Sequence, residues 1–232
     1  MPGQHEFGVQ ALDASERPAK RCLVGRGQPW RVDRRPADQA VAKRFIVHAD
    51  VYDEFTERFV AGMEAQVIGD PMDEAVQMGP LISAKQQDRV TGYINLGREL
   101  GATVACGGEG FGPGYFVQPT VLVDVDQRHR LVQEEIFGPV LVAMPFDDID
   151  EVVRLANDNP YGLGASIWSN DLGAVHRMIP RIRSGSVWVN CHSALDPALP
   201  FGGHKLSGIG REMGRAGLEE FLESKTLAEV VG

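Results

Sequence analysis

Glu134-Glu135-Ile136-Phe137-Gly138-Pro139-Val140 runs without interruption into Leu141-Val142-Ala143-Met144-Pro145-Phe146. The second half reads as a strand, a short apolar run entered through a Gly-Pro turn and left through Asp147-Asp148. The first half is an odd thing to bury. A carboxylate accepts hydrogen bonds through two oxygens and can grip a vicinal diol, while a neighbouring Phe can cover a flat heterocycle. Together these suit a nicotinamide riboside. The same residues also suit a helix-start or loop acid pair that caps backbone donors before the strand, and the stretch alone leaves both readings open.

Outward from this strand, the pattern alternates. Upstream, Thr103 to Cys106 and Thr120 to Val125 read as short strands around the glycine-rich turn Gly107 to Gly114. A helix precedes them, with Ser83 as its cap, Gln86 reaching back as a capping box, and Val90 and Ile94 on its apolar face before Gly101. Phe45-Ile46-Val47 is a strand. Asp50 is the candidate cap of a helix carrying Val51, Phe55, Phe59, Met63 and Val67, which Gly69 stops. Downstream, Asp148 and Glu151 form a capping box ahead of Val152, Leu155 and Ala156, and Ala165 to Trp168 is the next strand. Asn170 caps a helix with Leu172, Val175, Ile179 and Ile182, kinked at Pro180, and Ser186 to Asn190 is a strand. Alternating strands and helices predict an α/β domain, a mainly parallel sheet with covering helices.

The ends read differently. Residues 1–41 carry scattered Arg, Pro and Gly with no sustained period, and form an irregular leader expected to be poorly ordered. After Asn190 a long loop with Pro197 and Pro200 leads to a short helix at Leu218 to Phe221 and a strand-like Thr226 to Val231. The resulting division is a leader (1–41), a main domain (42–214), and a terminal helix and strand (215–232).

Composition narrows the function. A net charge of −9, with no Lys/Arg stripe in the later chain, argues against nucleic acid, and no apolar run approaches the roughly 20 residues of a membrane helix. Cys22, Cys106 and Cys191 are too far apart for a disulfide framework or a zinc spacing, and no two histidines are spaced to share a helix face. No metal is expected. With no apolar signal core at the N-terminus, the default location is a reducing cytoplasm.

Five segments resemble the NAD(P)-dependent aldehyde dehydrogenases. They are Met78-Gly79-Pro80-Leu81-Ile82-Ser83, Tyr115 to Val121, the opening heptapeptide, Asn159-Pro160-Tyr161-Gly162-Leu163-Gly164-Ala165, and above all Pro200-Phe201-Gly202-Gly203-His204-Lys205-Leu206-Ser207-Gly208-Ile209-Gly210-Arg211-Glu212. The resemblance extends from about Ala42 to about Val230 and is to the later part of a family member. It implies that family's catalytic-domain fold with the cofactor domain largely absent, NAD or NADP as cofactor, and a small aldehyde as substrate. It also implies a homo-oligomer, dimer or tetramer, joined through the terminal segment. Glu135 matches the family's ribose-binding carboxylate and Phe137 its ring neighbour, a pair able to hold only one end of a cofactor. Cys191, Leu195 and Phe201 match the lining of its substrate tunnel. The substrate is left between aromatic or aliphatic aldehydes, which the 190–200 segment resembles, and succinate semialdehyde, suggested by residues 42–72.

In such enzymes a cysteine thiolate attacks the aldehyde, a hydride leaves the thiohemiacetal for nicotinamide, and a glutamate-activated water releases the acid. By the family's spacing, the nucleophile belongs at position 39, and this chain has Gln39. An amide cannot form a thiohemiacetal. The expectation is therefore a chain inactive by itself, with two alternatives: a non-catalytic interaction module using Thr226 to Val231, and a cysteine hydrolase using Cys191 and His192. Cys22 lacks the oriented donors a nucleophile needs. The glycines of 202–214 do not follow a phosphate-loop or dinucleotide pattern, and Arg211 with Glu212 is either a surface pair or an internal tie.

Overall fold

The computed structural model describes residues 8–12 and 42–232. Apart from Gly8–Leu12, the leader lies outside the described residues, as do Gln39 and Cys22. In chain order the elements are β1 (Gly8–Leu12), β2 (Ala42–His48), α1 (Ala49–Glu64), α2 (Ala84–Glu99), β3 (Thr103–Cys106), β4 (Gly110–Phe111), β5 (Phe116–Val117) and β6 (Thr120–Val123). Then come α3 (Arg130–Gln133), β7 (Val140–Phe146), α4 (Ile149–Asn157), β8 (Tyr161–Gly162), β9 (Gly164–Trp168), α5 (Leu172–Met178), β10 (Ser186–Val189), β11 (His204–Lys205) and α6 (Gly214–Glu219).

Seven strands make one sheet in the order β10-β9-β1-β2-β7-β6-β3, parallel throughout except for the antiparallel β3–β6 pair. The α/β reading holds. Side chains alternate across each strand, so Phe45 and Val47 of β2 join Leu141 and Ala143 of β7 in one cluster, with Phe55 and Phe59 of α1. Ile46, Val142 and Met144 face the other way, into a cluster with Val90 and Ile94 of α2, Val152 and Leu155 of α4, and Val175 of α5. Both sheet faces are thus buried, which explains the unbroken apolar strand at 140–146.

Several boundaries moved, each for a local reason. A strand stands at Gly8–Leu12, inside the segment read as irregular, and it bridges β2 and β9. Five residues are too short a run for periodicity to register. Helix α1 is capped by His48, whose Nδ1 accepts from the Asp50 amide at 3.2 Å, so Asp50 lies inside the first turn. Helix α5 is capped by Asp171 in place of Asn170, and Pro180 sits in a 3-10 turn, Ile179–Arg181, that ends it. Helix α6 begins at Gly214, and residues 226–231 form no strand; Leu227, Val230 and Val231 are exposed at 85%, 96% and 88%. A strand exists only beside a partner, and none lies along this segment among the described residues.

Caps at Ser83 and Asp148 are as read: Ser83 Oγ accepts from the Gln86 amide and Asp148 Oδ1 from the Glu151 amide. The reciprocal arms differ. Glu151 accepts from Asp147, one residue before the cap, and the Gln86 side chain points elsewhere entirely.

Candidate nicotinamide and substrate sites

The acid-rich loop 134–139 lies along one side of α2 and leads into β7. Its two carboxylates are in different situations. Glu134 accepts from Arg130 Nε at 2.7 Å and Nη2 at 3.1 Å and from the Tyr93 hydroxyl. Arg130 first, and Tyr93 after it, hold the Glu134 carboxyl at about 2, so this group remains an anion committed to the protein. Glu135 is buried to 8% exposure, with its backbone carbonyl taking a hydrogen bond from Arg89 at 2.7 Å. Of the pair, Glu134 anchors and Glu135 faces inward.

Phe137 is 51% exposed and adopts φ 56, a left-handed conformation rare for a bulky residue. Such strain concentrates at ligand sites. Gly138 follows because nothing larger fits: a Cβ there would stand 2.4 Å from Val90 Cγ2 of α2.

Lys43, a site neighbour that no local pattern announces, lies buried on β2 within electrostatic reach of Glu135. Burial lowers the Lys43 ammonium to about 7, the adjacent Arg44 adds to the shift, and Glu135 and Glu134 oppose it. Its neighbour Arg44 is fully buried and serves the fold, donating to Leu155 O at 3.3 Å and Ala156 O at 3.2 Å at the end of α4.

The loop after β10 holds Cys191 and Leu195. Cys191 is half-buried and Leu195 is 47% exposed. Asn190 clamps Ser169, accepting from its amide at 2.9 Å and donating to its carbonyl at 3.0 Å, while Trp188 Nε1 donates to Ala194 O at 3.0 Å. His192 Nδ1 meets Ser166 Oγ at 2.6 Å, and its ring packs edge-on to Trp188. That nitrogen is engaged by a serine, which gives no support to a Cys191–His192 hydrolase pair.

Phe201 sits apart from Leu195 in character: it is buried, and its backbone pairs with Glu212 at 2.7 and 2.6 Å. Arg211 is an internal tie, donating to the carbonyls of Gly203, Ile209 and Gly210. Lys205 Nζ reaches Asn157 O and Asn159 O, and Ser207 Oγ accepts from the Gly162 amide. Hence the 159–165 and 200–212 motifs brace each other. Among the described residues, no group of three His, Cys, Asp or Glu is placed to hold a metal, and no helix is long and apolar enough to cross a membrane.

Comparison with known proteins points one way. Residues 40–227 match the profile described as the Aldehyde dehydrogenase family. A betaine aldehyde dehydrogenase of Brucella melitensis biotype 2 is 45% identical over 194 residues, covering 82% of this chain and 40% of that protein; a betaine aldehyde dehydrogenase of Brucella ovis matches to the same extent. The chain therefore spans about 40% of the length of these relatives. Among solved structures, an aldehyde dehydrogenase of Bacillus cereus in complex with NAD+ superposes with TM-score 0.77 at 42% identity, over 79% of this chain and 38% of that one. A Staphylococcus aureus betaine aldehyde dehydrogenase in complex with NAD+ gives 0.77 at 36% identity, over 79% and 37%.

Proposed function

The chain belongs to the aldehyde dehydrogenase family, and from that premise we propose that it carries the nicotinamide end of a site for oxidising an aldehyde to a carboxylic acid with NAD or NADP. One observation supports this above the rest: a buried carboxylate, Glu135, stands two residues from an exposed aromatic ring, Phe137, on a strained loop held against a helix. These residues fit a nicotinamide riboside. Glu135 accepts from the ribose hydroxyls and Phe137 lies against the ring's edge or face. When bound, nicotinamide supplies the acceptor for the substrate's hydride. Cys191, Leu195 and Phe201 line the aldehyde's approach in this reading, Cys191 half-buried, Leu195 exposed and Phe201 buried. Two relatives named for betaine aldehyde favour a small cationic aldehyde over the aromatic, aliphatic and semialdehyde classes.

We infer that the residues of this site supply one part of that reaction. Position 39 offers an amide where a thiolate is required, and the identified residues meet only one end of the cofactor. A second reading, an oligomerisation module, is favoured by the exposed Leu227, Val230 and Val231. One sample tests both. With a panel of small aldehydes and NAD or NADP, we expect no NADH or NADPH production from the native chain or from Gln39→Cys, because a thiol at position 39 supplies the nucleophile but neither the water-activating base nor the oxyanion donors that the reaction also needs. Activity from Gln39→Cys alone would sink the reading of an incomplete site. A dimer or tetramer by light scattering, without turnover, would support the module.

A further inference from the structure

Helix α2 meets the 134–138 loop at each turn of one face. Gln86 Nε2 donates to Ile136 O at 2.9 Å and Phe137 O at 2.7 Å. Arg89 donates to Glu135 O, Val90 packs on Gly138, and Tyr93 donates to Glu134. Positions 86, 89, 90 and 93 follow the i, i+3, i+4, i+7 spacing of a single helical stripe. Gln86 is available because Ser83 caps the helix without a reciprocal arm from it.

The Gln86 contact is selective. Successive carbonyls of an extended chain point to opposite sides, so one amide group cannot serve two of them unless the backbone bends. The left-handed turn at Phe137 supplies that bend. We infer that Gln86 is a positioning residue of the nicotinamide half-site, its two amide hydrogens holding Phe137 in the left-handed conformation and so setting where the Glu135 carboxylate and the Phe137 ring stand. The ligand named in this inference rests on the preceding functional reading, whereas the hold on the loop does not.

The test uses the full chain and two substitutions at half-buried Gln86. Gln86→Glu preserves shape and removes both donors; Gln86→Lys restores a donor. Amide hydrogen exchange over residues 136–138 should quicken about tenfold or more in Gln86→Glu and return most of the way in Gln86→Lys, with β2 unchanged. Affinity for nicotinamide mononucleotide should follow the same order. A role in packing alone predicts equal behaviour for Gln and Glu. Unchanged exchange in Gln86→Glu, or no recovery in Gln86→Lys, overturns the inference, as does altered exchange with unaltered nucleotide affinity. If the native chain binds no mononucleotide while exchange follows the expected order, the nicotinamide reading fails and the positioning of the loop by Gln86 stands.

Discussion

Arg44→Ala is expected to lower stability by about 3–5 kcal/mol, the combined cost of a cavity and of two backbone carbonyls left without their donor. Arg44 projects from the sheet centre with no solvent exposure and ends against Leu155 O and Ala156 O. Those carbonyls belong to the last turn of α4, where a helix has no backbone donors of its own and carries partial negative charge. A guanidinium can serve two carbonyls at once in fixed geometry, so Arg44→Lys should recover only part of the loss. Burial holds the Arg44 pKa down at about 10, which leaves it charged at neutral pH. Urea titration reads the difference, and a loss below about 1 kcal/mol would mean that water replaces the guanidinium.

Gly185→Ala should cost at least about 3 kcal/mol, at the top of the range for forced overpacking. A Cβ at this position would stand 1.7 Å from Gly202 O and 2.7 Å from Gly202 C, both backbone atoms that cannot rotate away. Gly185 also donates its amide to Gly162 O, so the crowded spot is where β10, the 159–165 motif and the 200–212 motif converge. Gly62 of α1 is the matched control. Its added Cβ meets nothing within 4 Å, and Gly62→Ala should stabilise by about 0.5–1 kcal/mol. Opposite signs in thermal unfolding are the expected result; equal small effects would show that the 202–203 backbone yields.

Legibility in the sequence followed the range of the forces. Strand Val140–Phe146 was readable to the residue because burial on both faces makes a continuous apolar run, and Ser83 was readable as a cap because its bond is three residues long. The His48 cap was not, since histidine is outside the usual capping residues. Long-range relations were hidden. Nothing local says that Gln86 reaches fifty residues ahead, that Arg44 seals α4, or that Lys43 is buried near Glu135. The adjacent acids illustrate the limit: the sequence presents Glu134 and Glu135 as a pair, and the fold gives them different settings, Glu134 held by Arg130 and Tyr93 and Glu135 buried.

That separation leads to the decisive measurement. Isothermal titration of the native chain and Glu135→Gln with nicotinamide mononucleotide and with NAD addresses the claim that Glu135 and Phe137 receive one end of the cofactor. NAD should bind no more than about threefold tighter than the mononucleotide, and Glu135→Gln should weaken both by about tenfold, the value of a hydrogen bond to a charged group. NAD binding tenfold or more tighter than the mononucleotide, or indifference to Glu135→Gln, would contradict it.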